Sequence, residues 1–149
     1  MPRFPPELLK KYPQMSPDDV PIWSDFLLQY ASNYLGFDYN VRVGEGTTPV
    51  ATTDTELIKW TKILTQKRID AVGYKTNSIE IFEVKPRAGI TALGQVISYL
   101  ALYRETFNPT LPITGTVVCD VQDPDLADIY ARHGIKVVRV IQTVREASL

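Results

Sequence analysis

An α/β domain built on a mixed sheet is what the chain predicts, and three observations predict it. Extended apolar segments alternate with segments of helical period, in the order helix, strand, short helix, strand, strand, helix, strand, helix, strand. Only the turn cluster Lys75-Thr76-Asn77-Ser78 separates the two middle strands, which favours an antiparallel hairpin. The closing strand–helix–strand unit suggests a parallel crossover, so that helices cover both faces of a central five-stranded sheet.

Proline is dense at the start, at Pro2, Pro5, Pro6, Pro13, Pro17 and Pro21. Residues 1–15 therefore read as an extended N-terminal arm with one short helical turn at Glu7–Lys11, and residues 16–149 as a single domain. Ser16 suits an N-cap, with Pro17 at the first helical position and Asp18 and Asp19 in the first turn. Trp23, Phe26, Leu27, Tyr30 and Tyr34 follow at helical spacing and read as core, and Gly36 suits the helix end.

Phe37 to Val43 alternates as a strand, and Gly44-Glu45-Gly46 turns it into a polar loop, Thr47 to Thr53. Asp54-Thr55-Glu56 opens a short helix whose Leu57, Trp60 and Leu64 share one side and read as core. The hairpin strands are Arg68 to Tyr74 and Ile79 to Lys85. Thr91 to Phe107 is a long helix with Leu93, Val96, Ile97, Leu100 and Tyr103 on its apolar stripe, stopped by Asn108-Pro109. Ile113 to Val121, a helix opened by Asp123-Pro124 and a last strand from Ile135 to Ile141 complete the order.

The charges nearly balance: 16 Lys and Arg stand against 17 Asp and Glu, for a formal charge of −1. Bulk charge alone would hold nucleic acid poorly, so any such contact must be a local patch. The single cysteine, Cys119, lies in an apolar strand and reads as a packed thiol, compatible with a reducing compartment. No apolar run is long enough for a membrane-spanning helix, and the N-terminus lacks a secretory core. Asp120, Asp123, Asp125 and Asp128 flank a helix start, where carboxylates are stabilising, and they lack a calcium-loop spacing.

The chemistry is concentrated in the hairpin. Glu83 and Lys85 are two residues apart in one strand and share a sheet face, and pairing across the turn brings Asp70 towards them. A Glu-x-Lys pair alone is common on solvated strand faces. Here Ile79, Ile81, Phe82 and Val84 make both faces apolar, so Glu83 and Lys85 would be buried at a cost unless paired or bound to metal. Two converging carboxylates suit a hard divalent cation such as Mg2+ or Mn2+.

Three stretches then carry a family likeness: Arg68-Ile69-Asp70-Ala71-Val72-Gly73, Glu83-Val84-Lys85-Pro86 and Gly94-Gln95-Val96-Ile97-Ser98-Tyr99. The chain resembles the PD-(D/E)XK nuclease superfamily, with its restriction-endonuclease-like fold, and more closely its small phage-like or mobile-element members. The resemblance implies Asp70, Glu83 and the Val84 carbonyl as metal ligands, Lys85 as catalytic lysine and Gln95 as its orienting residue. Tyr99, one turn on, supports Gln95 or contacts substrate. Ile69 stands where many members have proline. Many also add an acidic residue from the first helix, for which Asp25 is the natural candidate and Glu45 the other.

The activity so implied is magnesium-dependent hydrolysis of DNA phosphodiester bonds. It would take place in the host cytoplasm or a virion, and a homodimer or larger assembly would allow both strands to be cut. Lys59, Lys62, Lys67, Arg68 and Arg87 are candidate nucleic-acid contacts. The rival reading is a catalytically silent module of this fold that binds nucleic acid or a protein partner.

Overall fold

The computed structural model describes residues 2–49 and 51–140. Its strands are β1 (Gly36–Val43), β2 (Lys67–Tyr74), β3 (Ile79–Val84), β4 (Arg87–Ala88), β5 (Ile113–Cys119), β6 (Val121–Gln122) and β7 (Ile135–Arg139). Its helices are α1 (Val20–Tyr30), α2 (Thr55–Thr65), α3 (Ile90–Phe107) and α4 (Ala127–Arg132). The main sheet has five strands in the order β1-β2-β3-β5-β7. β1, β2 and β3 pair antiparallel, whereas β3, β5 and β7 run parallel, so the sheet is mixed as expected. β4 and β6 form a small parallel ribbon beside it.

Alternation along each strand sorts the core onto two faces. Ala71, Phe82, Val84 and Val118 meet Ile22, Trp23, Phe26 and Leu27 of α1. Val72, Ile79 and Ile81 turn the other way, onto Tyr99 and Tyr103 of α3. Val117 and Cys119 continue that second face beneath Leu93, Val96, Leu126 and Tyr130. Trp23 is the hub of the first layer. It is fully buried, its ring lies 4.9 Å from Phe26, 5.1 Å from Phe82 and 5.2 Å from Phe37, and its indole N–H donates to Tyr39 Oη at 3.0 Å.

The arm is part of this packing. Phe4 and Phe37 exchange two backbone hydrogen bonds, of 3.0 and 2.9 Å, at the outer edge of β1. Tyr12 is 3% exposed and belongs to the core. Further along β1, Asn40 adopts the left-handed region with φ of 53°. Asparagine is one of the few non-glycine residues that enters this region at modest cost.

Several elements differ from the sequence expectation, each for a physical reason. No helical turn forms at Glu7–Lys11. Ser16–Asp19 is a turn, and α1 starts at Val20 with Asp19 as N-cap. Had the helix begun at Pro17, Pro21 would lack the N–H that its fifth residue must donate; at the second helical position that loss is harmless. α1 ends at Tyr30 and passes through a 3-10 turn, Ala31–Asn33. Gly36 does not end the helix but opens β1, where a Cβ would lie 2.6 Å from the Phe4 carbonyl oxygen.

α2 forms where expected and is capped by Asp54, which accepts from the N–H groups of Glu56 and Leu57. Its apolar stripe is not core, however: Leu57, Trp60 and Leu64 are 47%, 54% and 67% exposed. Ile97, expected on the buried stripe of α3, is 37% exposed, and Tyr99 is buried instead. β3 ends at Val84, one residue short of Lys85, although the Lys85 N–H still donates to the Val118 carbonyl at 3.0 Å. The expected strand to Val121 breaks at Asp120 into β5 and β6, and α4 starts at Ala127, after an Asx turn at Asp123. Ile141 lies outside the described residues.

Two glycines should respond oppositely to added volume. A Cβ on Gly73 would stand 2.9 Å from the rings of Phe82 and Tyr34, whereas one on Gly94, exposed on α3, meets nothing within 4 Å. Gly73→Ala should therefore lose about 1–3 kcal/mol in urea unfolding. Gly94→Ala should gain about 0.5–1 kcal/mol by helix propensity. Destabilisation of equal size in both would contradict this packing.

Candidate active site

The hairpin register places the two expected carboxyls side by side. Ala71 lies opposite Phe82, and the next step along each strand sets Asp70 beside Glu83. Asp70 Oδ2 accepts the Val84 N–H at 2.8 Å, which fixes the carboxyl against the end of β3. Val84 thus meets the site through its N–H. Lys85 Nζ stands 3.7 Å from Glu83 Oε1, and its side chain is 32% exposed, against 4% for Glu83.

Glu83 and Asp70 lie within hydrogen-bonding reach of each other. Burial pushes the Glu83 carboxyl up to about 9, and the Asp70 charge adds to this while Lys85 opposes it. Burial also raises Asp70, against the opposing hydrogen bond from Val84. Two carboxylates in contact need a proton or a cation between them.

β3 carries a second buried glutamate that makes the contrast plain. Glu80, 4% exposed, accepts Tyr34 Oη at 2.7 Å on one oxygen and Thr116 Oγ1 at 2.5 Å on the other, with Lys75 Nζ 3.6 Å away. Three residues apart in a strand, Glu80 and Glu83 point to opposite faces. The protein satisfies the first completely. Glu83 Oε2 is buried and, among the described residues, receives no hydrogen bond.

α3 brings a further acceptor. Tyr99 is near enough to feel the charges of Glu83 and Asp70 and is hydrogen-bonded to Gln95, its neighbour one turn back. Gln95 Oε1 is buried and receives no hydrogen bond among the described residues. The side chains shown together at the site are thus two carboxyls with Lys85 alongside. Oxygen ligands of this kind fit Mg2+ or Mn2+. Among the described residues no three His, Cys, Asp or Glu groups close into a ligand set. Magnesium tolerates this, since it keeps several waters and takes one or two carboxylates plus substrate phosphate.

The acidic residue that α1 sends towards the site is Asp19. Its charge raises both Asp70 and Glu83, and burial raises its own carboxyl against a hydrogen bond from Ser16 and the charge of Lys85. Asp25, the expected candidate, is fully buried about one and two-thirds turns further along the same helix. Glu45 is exposed in the turn after β1, between Gly44 and Gly46, both of positive φ. The one sequence signal for Asp19 is its place before Val20-Pro21, where a helix must start.

The expected nucleic-acid contacts are dispersed. Lys59 and Lys62 project from the exposed helix α2, Lys67 and Arg68 open β2, and Arg87 is ion-paired with Asp123 at 3.2 Å. Cys119 is a buried free thiol, as expected. No helix among the described residues is long and apolar enough to cross a membrane.

No family model and no curated protein matches this chain. Among solved structures it is similar to a repair endonuclease from Pyrococcus abyssi, with a TM-score of 0.53 and 13% identity over 89% of this chain and 49% of that one. A complex of EndoMS with double-stranded DNA gives a TM-score of 0.49 at 13% identity, over 89% of this chain and 48% of that one. The chain spans about half the length of these structures. At such identity the likeness to the first is one of fold: a mixed five-stranded sheet flanked by helices, shared with an endonuclease.

Proposed function

We propose that the chain is a metal-dependent nuclease that hydrolyses DNA phosphodiester bonds at a centre formed by Asp70, Glu83 and Lys85. The observation that carries this reading is the company of Glu83: buried, paired with Asp70, flanked by Lys85 and left with an oxygen that receives no hydrogen bond among the described residues. Asp70 and Glu83 would hold Mg2+ or Mn2+. The cation would supply polarisation of the phosphate and a nucleophilic water at neutral pH.

The chain's own groups do the rest. Lys85, partly exposed and tethered by Glu83, faces the charge that builds on the phosphoryl oxygens as water attacks and the leaving oxygen departs. Val84 holds the orientation of Asp70 through its backbone N–H. Gln95, hydrogen-bonded to Tyr99 on α3, would orient Lys85 or the attacking water. Lys59, Lys62, Lys67 and Arg68 would take phosphates of the DNA on either side of the scissile bond. A catalytically silent module of the same fold is the second reading. It is favoured by the lack, among the described residues, of a third ligating side chain.

Plasmid and single-stranded DNA incubated with Mg2+ or Mn2+ should be cleaved by the native chain. Asp70→Asn and Lys85→Ala should each slow cleavage by roughly 10²–10³-fold, the size typical of losing one preorganised electrostatic contact. Cleavage that survives both substitutions removes these residues from the mechanism.

The raised carboxyls also set a pH dependence. The unfolded chain releases these protons first, so the folded state binds more protons between the ordinary carboxylate range and about 9. In chelator, the melting temperature should fall as pH rises across this window, and Glu83→Gln should flatten the slope. Added Mg2+ should raise the melting temperature more at pH 8 than at pH 6, because it competes with protons for the same oxygens. A slope unchanged in Glu83→Gln would contradict the assignment.

A further inference from the structure

A groove of the molecule lies away from the carboxyls. It has a volume of about 610 Å³ and lies between β1 and the end of α3, lined among others by Arg3, Arg42, Asp38, Tyr103, Phe107 and Leu111. We propose that this groove binds the unpaired nucleotides of a single DNA strand whose scissile bond lies at Asp70 and Glu83, with Arg42 and Arg3 on phosphates and Phe107 against a base.

Four observations carry this. The first is charge. Neither guanidinium belongs to an ion pair among the described residues, whereas Arg87, Arg132, Lys75 and Lys85 are all paired. Asp38, the acidic group in the groove, has both oxygens engaged: Oδ1 accepts the Arg3 N–H at 2.7 Å and Oδ2 accepts Tyr74 Oη at 2.7 Å. It anchors the arm and leaves the arginines to face solvent. The second is an exposed aromatic face. Phe107 is 49% exposed and is braced by Tyr103, whose ring centroid lies 4.8 Å away and which is itself 5% exposed. A half-covered ring on a rigid backing suits a base stacked from the open side.

The third is size, since 610 Å³ lies within the usual range for a small-molecule site and can hold a nucleotide. The fourth is continuity with the carboxyls. Tyr39 pairs with Ala71 and Val41 with Ile69, so Asn40, which lines the groove, lies opposite Asp70. On α3, Tyr103 of the groove sits one turn beyond Tyr99, which feels the charges of Glu83 and Asp70. A strand crossing the carboxyls thus has a path over the β1 edge into the groove. A duplex has its bases already stacked inside it and offers no base face to Phe107 without unpairing. The path of the strand rests on the nuclease reading, but occupancy of the groove does not.

The test is binding of a fluorescein-labelled oligothymidylate of twelve residues, beside a twelve-pair duplex, in chelator so that no cleavage occurs. The native chain should bind the single strand more tightly than the duplex. Phe107→Ala and Arg42→Ala, both at exposed positions, should each weaken single-strand binding by roughly five- to tenfold or more. The two should differ in salt response: Arg42→Ala should reduce the slope of log K against log salt by about 0.7, and Phe107→Ala should leave it unchanged. Native affinity in both variants, or a duplex bound as tightly as the single strand, overturns the proposal. Calorimetry with Mn2+ on the native chain and Glu83→Gln tests the nuclease reading separately. A native chain that binds no Mn2+, or Mn2+ bound equally well by Glu83→Gln, with the groove's binding retained, would sink that reading and spare this one.

Discussion

A carboxylate taken out of water must be compensated, and this requirement shapes both sides of the central strand. Desolvating an ionised group costs several kcal/mol, which only partners can offset. β3 carries two glutamates that are almost inaccessible to solvent. On the α1 face the protein has built a full set of partners for Glu80 from Tyr34, Thr116 and Lys75. On the α3 face it sets Glu83 beside a second acid and supplies one partly exposed lysine. The same fold thus closes one account and leaves the other open, and the open one is where the proposed cation and phosphate would bind.

The geometry around Glu83 follows from ordinary local rules. The turn at residues 75–78 sets the hairpin register, which decides that Asp70 and not its neighbour stands beside Glu83. The parallel pairing of β3 with β5 holds Lys85 at the strand end through the Val118 carbonyl. The reversal from β3 through β4 into α3 then lays the first turns of a helix across that end, which is how Gln95 and Tyr99 arrive. The site therefore sits where an antiparallel hairpin gives way to a parallel crossover, on rigid elements rather than on loops.

What was legible in the sequence is what local periodicity and turn chemistry decide. The hairpin, the five strands of the main sheet and the pairing of Asp70 with Glu83 follow from alternation and from one turn cluster. Asp19 was not legible, because its approach to Glu83 depends on how α1 lies against the sheet, and the resemblance's acidic residue on the first helix pointed to Asp25, which is buried. The exposure of Leu57, Trp60 and Leu64 was hidden for a related reason. An amphipathic period says that a helix has an apolar side, not that the same chain covers it. The groove at Arg42 and Phe107 was equally out of reach, since it joins residues from the arm, an edge strand and a helix end.

The left-handed Asn40 has a consequence for the sheet as a whole. An outermost strand offers unpaired backbone groups that invite a further strand to add, and flat edges of this kind propagate into aggregates. On this rim Phe4 already occupies the partner position of Phe37, and three residues later the backbone turns out of extended geometry. An incoming chain finds no uninterrupted stretch on which to zip. The same departure from extended geometry keeps the sheet from growing.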